Sequence, residues 1–169
     1  MLKHLKSLLV PEPERTGLKI PENTDPERFA LAGLLAEVAM ADGIMEEIEV
    51  DLAVDLMVRQ FAMPSSEARR LIEIAHTQCR EGDVLFRFTT MAKEYWPHEE
   101  RIELIEMLWE VVYADGRQDD FEAGLMRRLG GLLHVTDQDR GAARKRVLAR
   151  RQKNLYEAVE KAVSGDDDE

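Results

Sequence analysis

Residues 36–49 read AEVAMADGIMEEIE, and residues 109–122 read WEVVYADGRQDDFE. The second stretch lies 73 positions after the first and repeats Glu, Val, Ala-Asp-Gly and a closing Glu in one frame. Extended outward, residues 29–56 and 102–129 match at ten of 28 positions, from Leu31/Leu104 and Leu35/Leu108 through Asp42/Asp115 and Gly43/Gly116 to Leu56/Leu129. Glu46 and Glu47 face Asp119 and Asp120, and Ile48 faces Phe121. The shared leucines and valines fall three, four or seven apart, the stripe of an amphipathic helix. A duplicated helical hairpin accounts for this pattern.

The spacing predicts a first helix over about 27–41, with Asp25 as its cap and Pro26 at its first position. Gly43, free to take the left-handed conformation, ends it. A second helix runs from near Glu46 to about Ala62, and a third from Ser65 or Ser66 to about Arg80. Val84–Glu94 reads as a short linking helix after the Glu81-Gly82-Asp83 turn. The second copy gives helices from about Pro97 to Ala114 and from about Asp119 to Leu133, the latter interrupted at Gly130-Gly131. Thr136 and Asp139, spaced as a capping box with Asp for the usual Glu, open a last helix reaching Val163. No segment alternates with the strand period. The fold expected is all-α, a bundle of about seven helices built from two pseudo-symmetric helical-hairpin repeats. Its organisation is a leader at 1–26, a helical domain at 27–163 with repeats at about 27–80 and 97–150, and an acidic tail at 164–169.

An apolar fraction of 44% supports a core, and aromatic residues are only 6%. No apolar run approaches the roughly 20 residues of a membrane span. The start, MLKHLKSLL, is too short for a secretory signal; Leu2, Leu5, Leu8 and Leu9 fall on one side of a small amphipathic helix, expected to cover the domain's own core. A single cysteine, Cys79, excludes an intrachain disulfide and suits a reducing, cytoplasmic compartment. The net charge of −11 disfavours nucleic acid and favours cations. Arg140–Lys153 holds seven Lys or Arg and no acid. That run is read as a solvated helix paired with acids of other helices, or as a dock for an acidic partner or anionic lipid.

Asp-Gly followed by a distant Glu matches the second half of an EF-hand loop, where Asp, Gly, an acid and Glu occupy positions 5, 6, 9 and 12. Asp42, Gly43, Glu46 and Glu49 fill those places, as do Asp115, Gly116, Asp119 and Glu122. The first half is missing, because Val38 and Met40, or Val111 and Tyr113, stand where carboxylates would. A weaker site for a hard cation such as Ca²⁺ or Mg²⁺ remains, with an affinity of roughly 10⁻⁴ to 10⁻³ M. The alternative is structural: Asp-Gly stops helices, and acids at a helix start satisfy free N–H groups and the dipole.

At these residues, and at LGGLLHVTDQD (129–139), the chain resembles the TerB-like family, named for a tellurite-resistance protein. The resemblance spans about residues 27–150. It implies an all-helical fold, metal ligation by the repeated acids Asp42, Glu49, Asp115 and Glu122, with Glu46 and Asp119 as looser members, and association with other stress-response components, some at the inner membrane. Relatives of the domain also occur fused to a DnaJ co-chaperone module, but no His-Pro-Asp triplet marks a J domain here.

The remaining features point away from catalysis. The histidines at 4, 76, 98 and 134 have no HExxH spacing, and His98 reads as a surface cap. Cys79 has no CxxC partner and reads as a partly buried thiol. Neither a phosphate loop nor a G-x-S-x-G elbow occurs. The expectation is a non-catalytic, cytoplasmic module that takes a divalent cation at the acidic turns and docks proteins. A purely structural interaction domain is the alternative, and a metal-assisted hydrolase is a distant third.

Overall fold

The computed structural model describes residues 16–79, 84–114, 116 and 120–164. Seven helices run through them: α1 Pro26–Ala39, α2 Glu47–Phe61, α3 Ser65–Cys79, α4 Val84–Tyr95, α5 His98–Val112, α6 Asp120–Leu132 and α7 Asp137–Ser164. No strand occurs among the described residues. The expected amphipathic helix at residues 2–9 lies outside them, as does the Glu81-Gly82-Asp83 turn.

α1 is the centre of the bundle and packs against α2, α3, α4 and α5. The leucine stripe predicted one buried face, but the helix is buried on every side. Phe29 through Ala36, Val38 and Ala39 are all inside. The reason is in the small residues between the leucines. Ala30, Ala32 and Gly33 turn what would be a solvent face into a surface that another helix can approach. Gly33 is the extreme case: a Cβ built there would lie 2.2 Å from the ring of Phe88 in α4. Phe88 fills that gap and meets Phe29 edge-on, with ring centroids 5.7 Å apart.

α2 and α3 are amphipathic in the ordinary sense. α2 buries Val50, Ala53, Val54, Leu56 and Met57, and α3 buries Ala68, Leu71, Ile72 and Ala75. Each set recurs at three- and four-residue spacing on one face. α5 lies beside α1 and packs on α2, α6 and α7. Thus α1 touches the two helices that follow it, and α5 touches the two that follow it. The halves differ where their sequences do. The position matching Gly33 is Glu106. In the first half that site admits an aromatic ring; in the second it offers a carboxylate to α7.

Local signals set the boundaries. Asp25 occupies the cap position of α1, yet its carboxylate makes no cap hydrogen bond and instead pairs with Arg28 at 3.2 Å. α2 opens with a reciprocal capping box between Glu46 and Glu49. At α7 the Asp139 N–H donates to Thr136 Oγ1 (3.1 Å), while the Thr136 hydroxyl donates to Asp139 Oδ2 (2.7 Å). Gly130-Gly131 does not interrupt α6, which continues to Leu132. Gly130 serves packing instead, since an added Cβ would sit 3.1 Å from Arg140 Cδ. The reversal falls later, at His134, with φ 55°. Ahead of α1 the chain passes through turns at Thr16-Gly17 and Glu22-Asn23. Leu18 is inserted in the core, and the Gln78 side chain clamps Lys19 by accepting from its N–H and donating to its carbonyl, both at 2.9 Å.

Candidate functional site

The two Asp-Gly turns have nearly the same backbone at the residues described in both. α1 ends at Met40 (φ −98°, ψ 8°) and α5 at Tyr113 (φ −92°, ψ 10°). Gly43 and Gly116 then take φ 89° and 79°. Their N–H groups donate back to the Met40 and Tyr113 carbonyls at 2.9 and 3.0 Å. A side chain at either glycine would be strained, which explains the residue at both turns. The first helix stops at Ala39, two residues earlier than the sequence pattern suggests.

In the first turn the acids work locally. Asp42 is exposed, and its Oδ1 accepts the Ile44 N–H at 2.9 Å. Glu49 Oε2 accepts the Glu46 N–H at 2.9 Å, and Glu46 reciprocates at the helix start. Neighbouring Glu47 pairs with Arg69 of α3 at 3.1 Å, and Asp51 pairs with the same guanidinium. In the second turn, Asp115 and Asp119 lie outside the described residues, while Glu122 is half-buried near the start of α6. Among the described residues, no three His, Cys, Asp or Glu side chains are placed to share one ion. Asp42, Glu46 and Glu49 stand in one short segment, each engaged by a backbone N–H. A cation there would have to compete with those donors.

Beside each turn an apolar side chain faces water. Ile48 is 51% exposed and its repeat counterpart Phe121 is 67% exposed, with Ile44 (67%) completing the first cluster. In the sequence, acids neighbour both: Glu46, Glu47 and Glu49 near Ile48, and Asp119, Asp120 and Glu122 near Phe121.

A glutamate two positions before each helix end also repeats, at Glu37 and Glu110, and both line cavities. The first, about 560 Å³, is formed by Glu37, Met40, His76, Cys79, Leu125 and Arg128 with their neighbours. Burial pushes the Glu37 carboxyl above its ordinary range, against the opposing effects of the Cys79 thiol and the Arg128 charge. Burial, reinforced by the Glu37 charge, pushes the Cys79 thiol well up. Its Sγ–H donates to the Ala75 carbonyl at 3.3 Å. A thiol so placed stays protonated and is a poor nucleophile. His76 Nε2 is buried with no hydrogen-bond partner among the described residues. No sequence motif marks this grouping, since its members come from α1 and its C-cap, α3 and α6.

The second cavity, about 430 Å³, lies between α2, α5 and α7 and is walled by Arg59, Glu103, Glu106, Glu110 and Arg150. Glu110 pairs with Arg59 and Arg150, each at 3.2 Å. Glu106 pairs with Arg146 at 2.7 Å and with Arg150. Burial raises the Glu106 pKa, but the two guanidinium groups outweigh it and hold the carboxyl below its usual value. Arg144 donates to the Tyr113 hydroxyl at 2.6 Å and lies over the Trp109 ring, 5.4 Å from its centroid. Trp109 and Tyr113 stack at 5.6 Å. Much of the basic run thus faces α5: Arg144, Arg146 and Arg150 form a seam that fastens α7 to the bundle.

These features define an all-helical module with acidic turns between its helices. The family of the tellurite resistance protein TerB matches residues 28–145, and the chain belongs to that family. The match falls within the helical domain read at 27–163. No curated protein and no solved structure gives a significant match to the chain. No helix among the described residues is long and apolar enough to cross a membrane.

Proposed function

We propose that the chain is a non-catalytic, cytoplasmic module of a tellurite-resistance-type stress system, and that it works by docking protein partners at its two Asp-Gly turns. One observation carries this reading. Equivalent positions of the two halves, Ile48 and Phe121, both present an apolar side chain to water, and both have acids as sequence neighbours. Apolar tips with polar surrounds are the anatomy of interaction sites. The net charge of −11 selects partners with a basic surface, including basic faces of proteins held at the inner membrane.

The shared backbone of the turns favours a second role at the same place. Asp42, Glu46 and Glu49, and Asp115, Asp119 and Glu122, would take a hard divalent cation, Ca²⁺ or Mg²⁺, at roughly 10⁻⁴ to 10⁻³ M. Such binding would exchange capping N–H contacts for metal contacts and neutralise the carboxylates, so cation and basic partner would compete.

Capture from native cytoplasm by immobilised wild-type chain, compared with an Ile48→Glu/Phe121→Glu variant, tests the docking reading. The reading expects specific partners that the variant loses while its melting temperature is unchanged. Identical capture by both chains refutes it. Calorimetric titration with Ca²⁺, Mg²⁺, Mn²⁺ and Zn²⁺ tests the cation. Heat that Asp42→Asn with Asp115→Asn abolishes supports it; no heat from any ion removes it.

A further inference from the structure

The cavity of about 560 Å³ is walled by four helices, each presenting one row of side chains. α1 and its C-cap supply Glu37 and Met40. α3 supplies His76 and Cys79, and α6 supplies Phe121, Leu125 and Arg128. Within each set the spacing is three or four residues, which keeps the side chains on one helix face. Leu85 of α4 adds to the apolar wall. Small-molecule sites typically occupy about 300–1,000 Å³ and combine apolar walls with a few polar groups. This cavity has both properties.

Its charged groups differ in depth. Glu37 is half-buried, whereas Arg128 is exposed and stands at the rim. The repeat counterpart of Glu37, Glu110, is held by the guanidinium groups of Arg59 and Arg150, each at 3.2 Å. Glu37 is less well served. Burial raises its pKa, and the Cys79 thiol and the Arg128 charge offset this only in part. Burial thus costs the charged carboxylate more than its neighbours return. His76 has a related need. Its Nε2 is buried with no hydrogen-bond partner among the described residues. In the Nδ1–H tautomer that nitrogen is an acceptor.

A bare metal ion is a poor answer, since no three His, Cys, Asp or Glu side chains among the described residues are placed to share one. An ammonium on an alkyl stem suits the cavity better. Its N–H groups are donors for both Glu37 and His76, its charge complements the carboxylate, and its methylenes match the apolar wall. The net charge of −11 favours entry of a cation, while an anion would meet Glu37.

We propose that this cavity binds a primary alkylamine in its ammonium form, with Glu37 and His76 holding the head group and Met40, Leu85, Phe121 and Leu125 receiving the chain. Phe121, 67% exposed, stands at the mouth, where a bound chain would cover part of its ring. Arg128 opposes the ligand from the rim as a like charge. The site does not rest on the docking proposed at the turns, and its test leaves Ile48 and Phe121 intact.

Calorimetric titration of the full chain with hexylamine at neutral pH and fixed ionic strength is the test. A single equivalent is expected to bind, with affinity rising about fourfold per methylene from butylamine to hexylamine. Glu37→Gln should weaken binding at least ~10-fold, and His76→Ala should weaken it by a smaller factor. The Glu37→Gln chain should melt no lower than wild type, so its loss of binding is not a loss of fold. Arg128→Gln should tighten binding of the amine, whereas it would weaken binding of an anion. Asp42→Asn, which removes an exposed carboxylate at the first turn, should change nothing. Hexanol should bind more weakly than hexylamine, and hexanoate more weakly still. No binding at ~10 mM hexylamine, an affinity indifferent to Glu37→Gln, or hexanoate bound as tightly as the amine would overturn the proposal. So would tighter binding of Nα-acetyl-lysine methylamide than of hexylamine, which would make the cavity a receptor for a partner protein's lysine.

Discussion

Gly33→Ala is the sharpest probe of how the bundle is built. In an ordinary helix interior, replacing Gly by Ala stabilises by about 1 kcal/mol. Here the new methyl carbon would lie 2.2 Å from Phe88 Cε1 and 2.3 Å from two further ring carbons. The ring is fully buried and braced by Phe29, so relief requires α4 to shift from α1 or Phe88 to leave its rotamer. Overpacking of this kind costs about 1–3 kcal/mol, and a braced aromatic ring belongs at the upper end. After the helix-propensity gain, the net destabilisation is about 2 kcal/mol, or a melting temperature lower by about 4–8 °C for a chain of this size. Urea denaturation of Gly33→Ala, Phe88→Leu and the double variant measures it. The methyl group and the ring compete for one space, so the double variant should be less destabilised than the sum of the singles by about 1 kcal/mol or more. A Gly33→Ala chain as stable as wild type, or strictly additive variants, would refute the packing argument.

Thr136→Ala removes the side-chain acceptor of the Asp139 N–H and should cost about 1 kcal/mol in chemical denaturation. Glu37 supplies a pH dependence. Its carboxyl pKa is raised in the fold, so the folded chain holds that proton more tightly than the unfolded chain does. Its contribution is therefore fully present below the ordinary carboxylate pKa and is lost as pH rises toward the folded value. Glu37→Gln should flatten that window in a stability–pH profile and leave the neutral-pH chain as stable or more so. Cys79 should react with iodoacetamide at pH 8 at least ~10-fold more slowly than a free thiol, and at the free rate once the chain is unfolded. Equal rates in both states would contradict its burial.

The helices were largely legible because their signals are local. The Asp-Gly turns, Pro26, the Glu46–Glu49 spacing and the Thr136–Asp139 spacing each act within a few residues of themselves, and the observed ends lie within two residues of those expected. What stayed hidden depends on the neighbour across the interface. Nothing in the sequence around Gly33 names Phe88, 55 residues away, as the side chain that needs its missing Cβ. The leucine stripe of α1 therefore looked amphipathic, although its alanines are buried as well. The run from Arg140 likewise carried no sign that Arg144 would cover Trp109 or that Arg146 and Arg150 would meet at Glu106. The six acids at the turns stand out by their repetition. The backbone donors that engage Asp42, Glu46 and Glu49 do not, because a carboxylate that caps a helix and one that holds a cation share the same spacing.

The proposed docking rests on the exposed apolar side chains beside the two turns, Ile48 and Phe121. Quantitative capture of native partners by wild-type chain and by the Ile48→Glu/Phe121→Glu variant tests it most directly. Specific partners bound by the first should be absent from the second while both chains melt together. Partners retained at full level by the variant would contradict it.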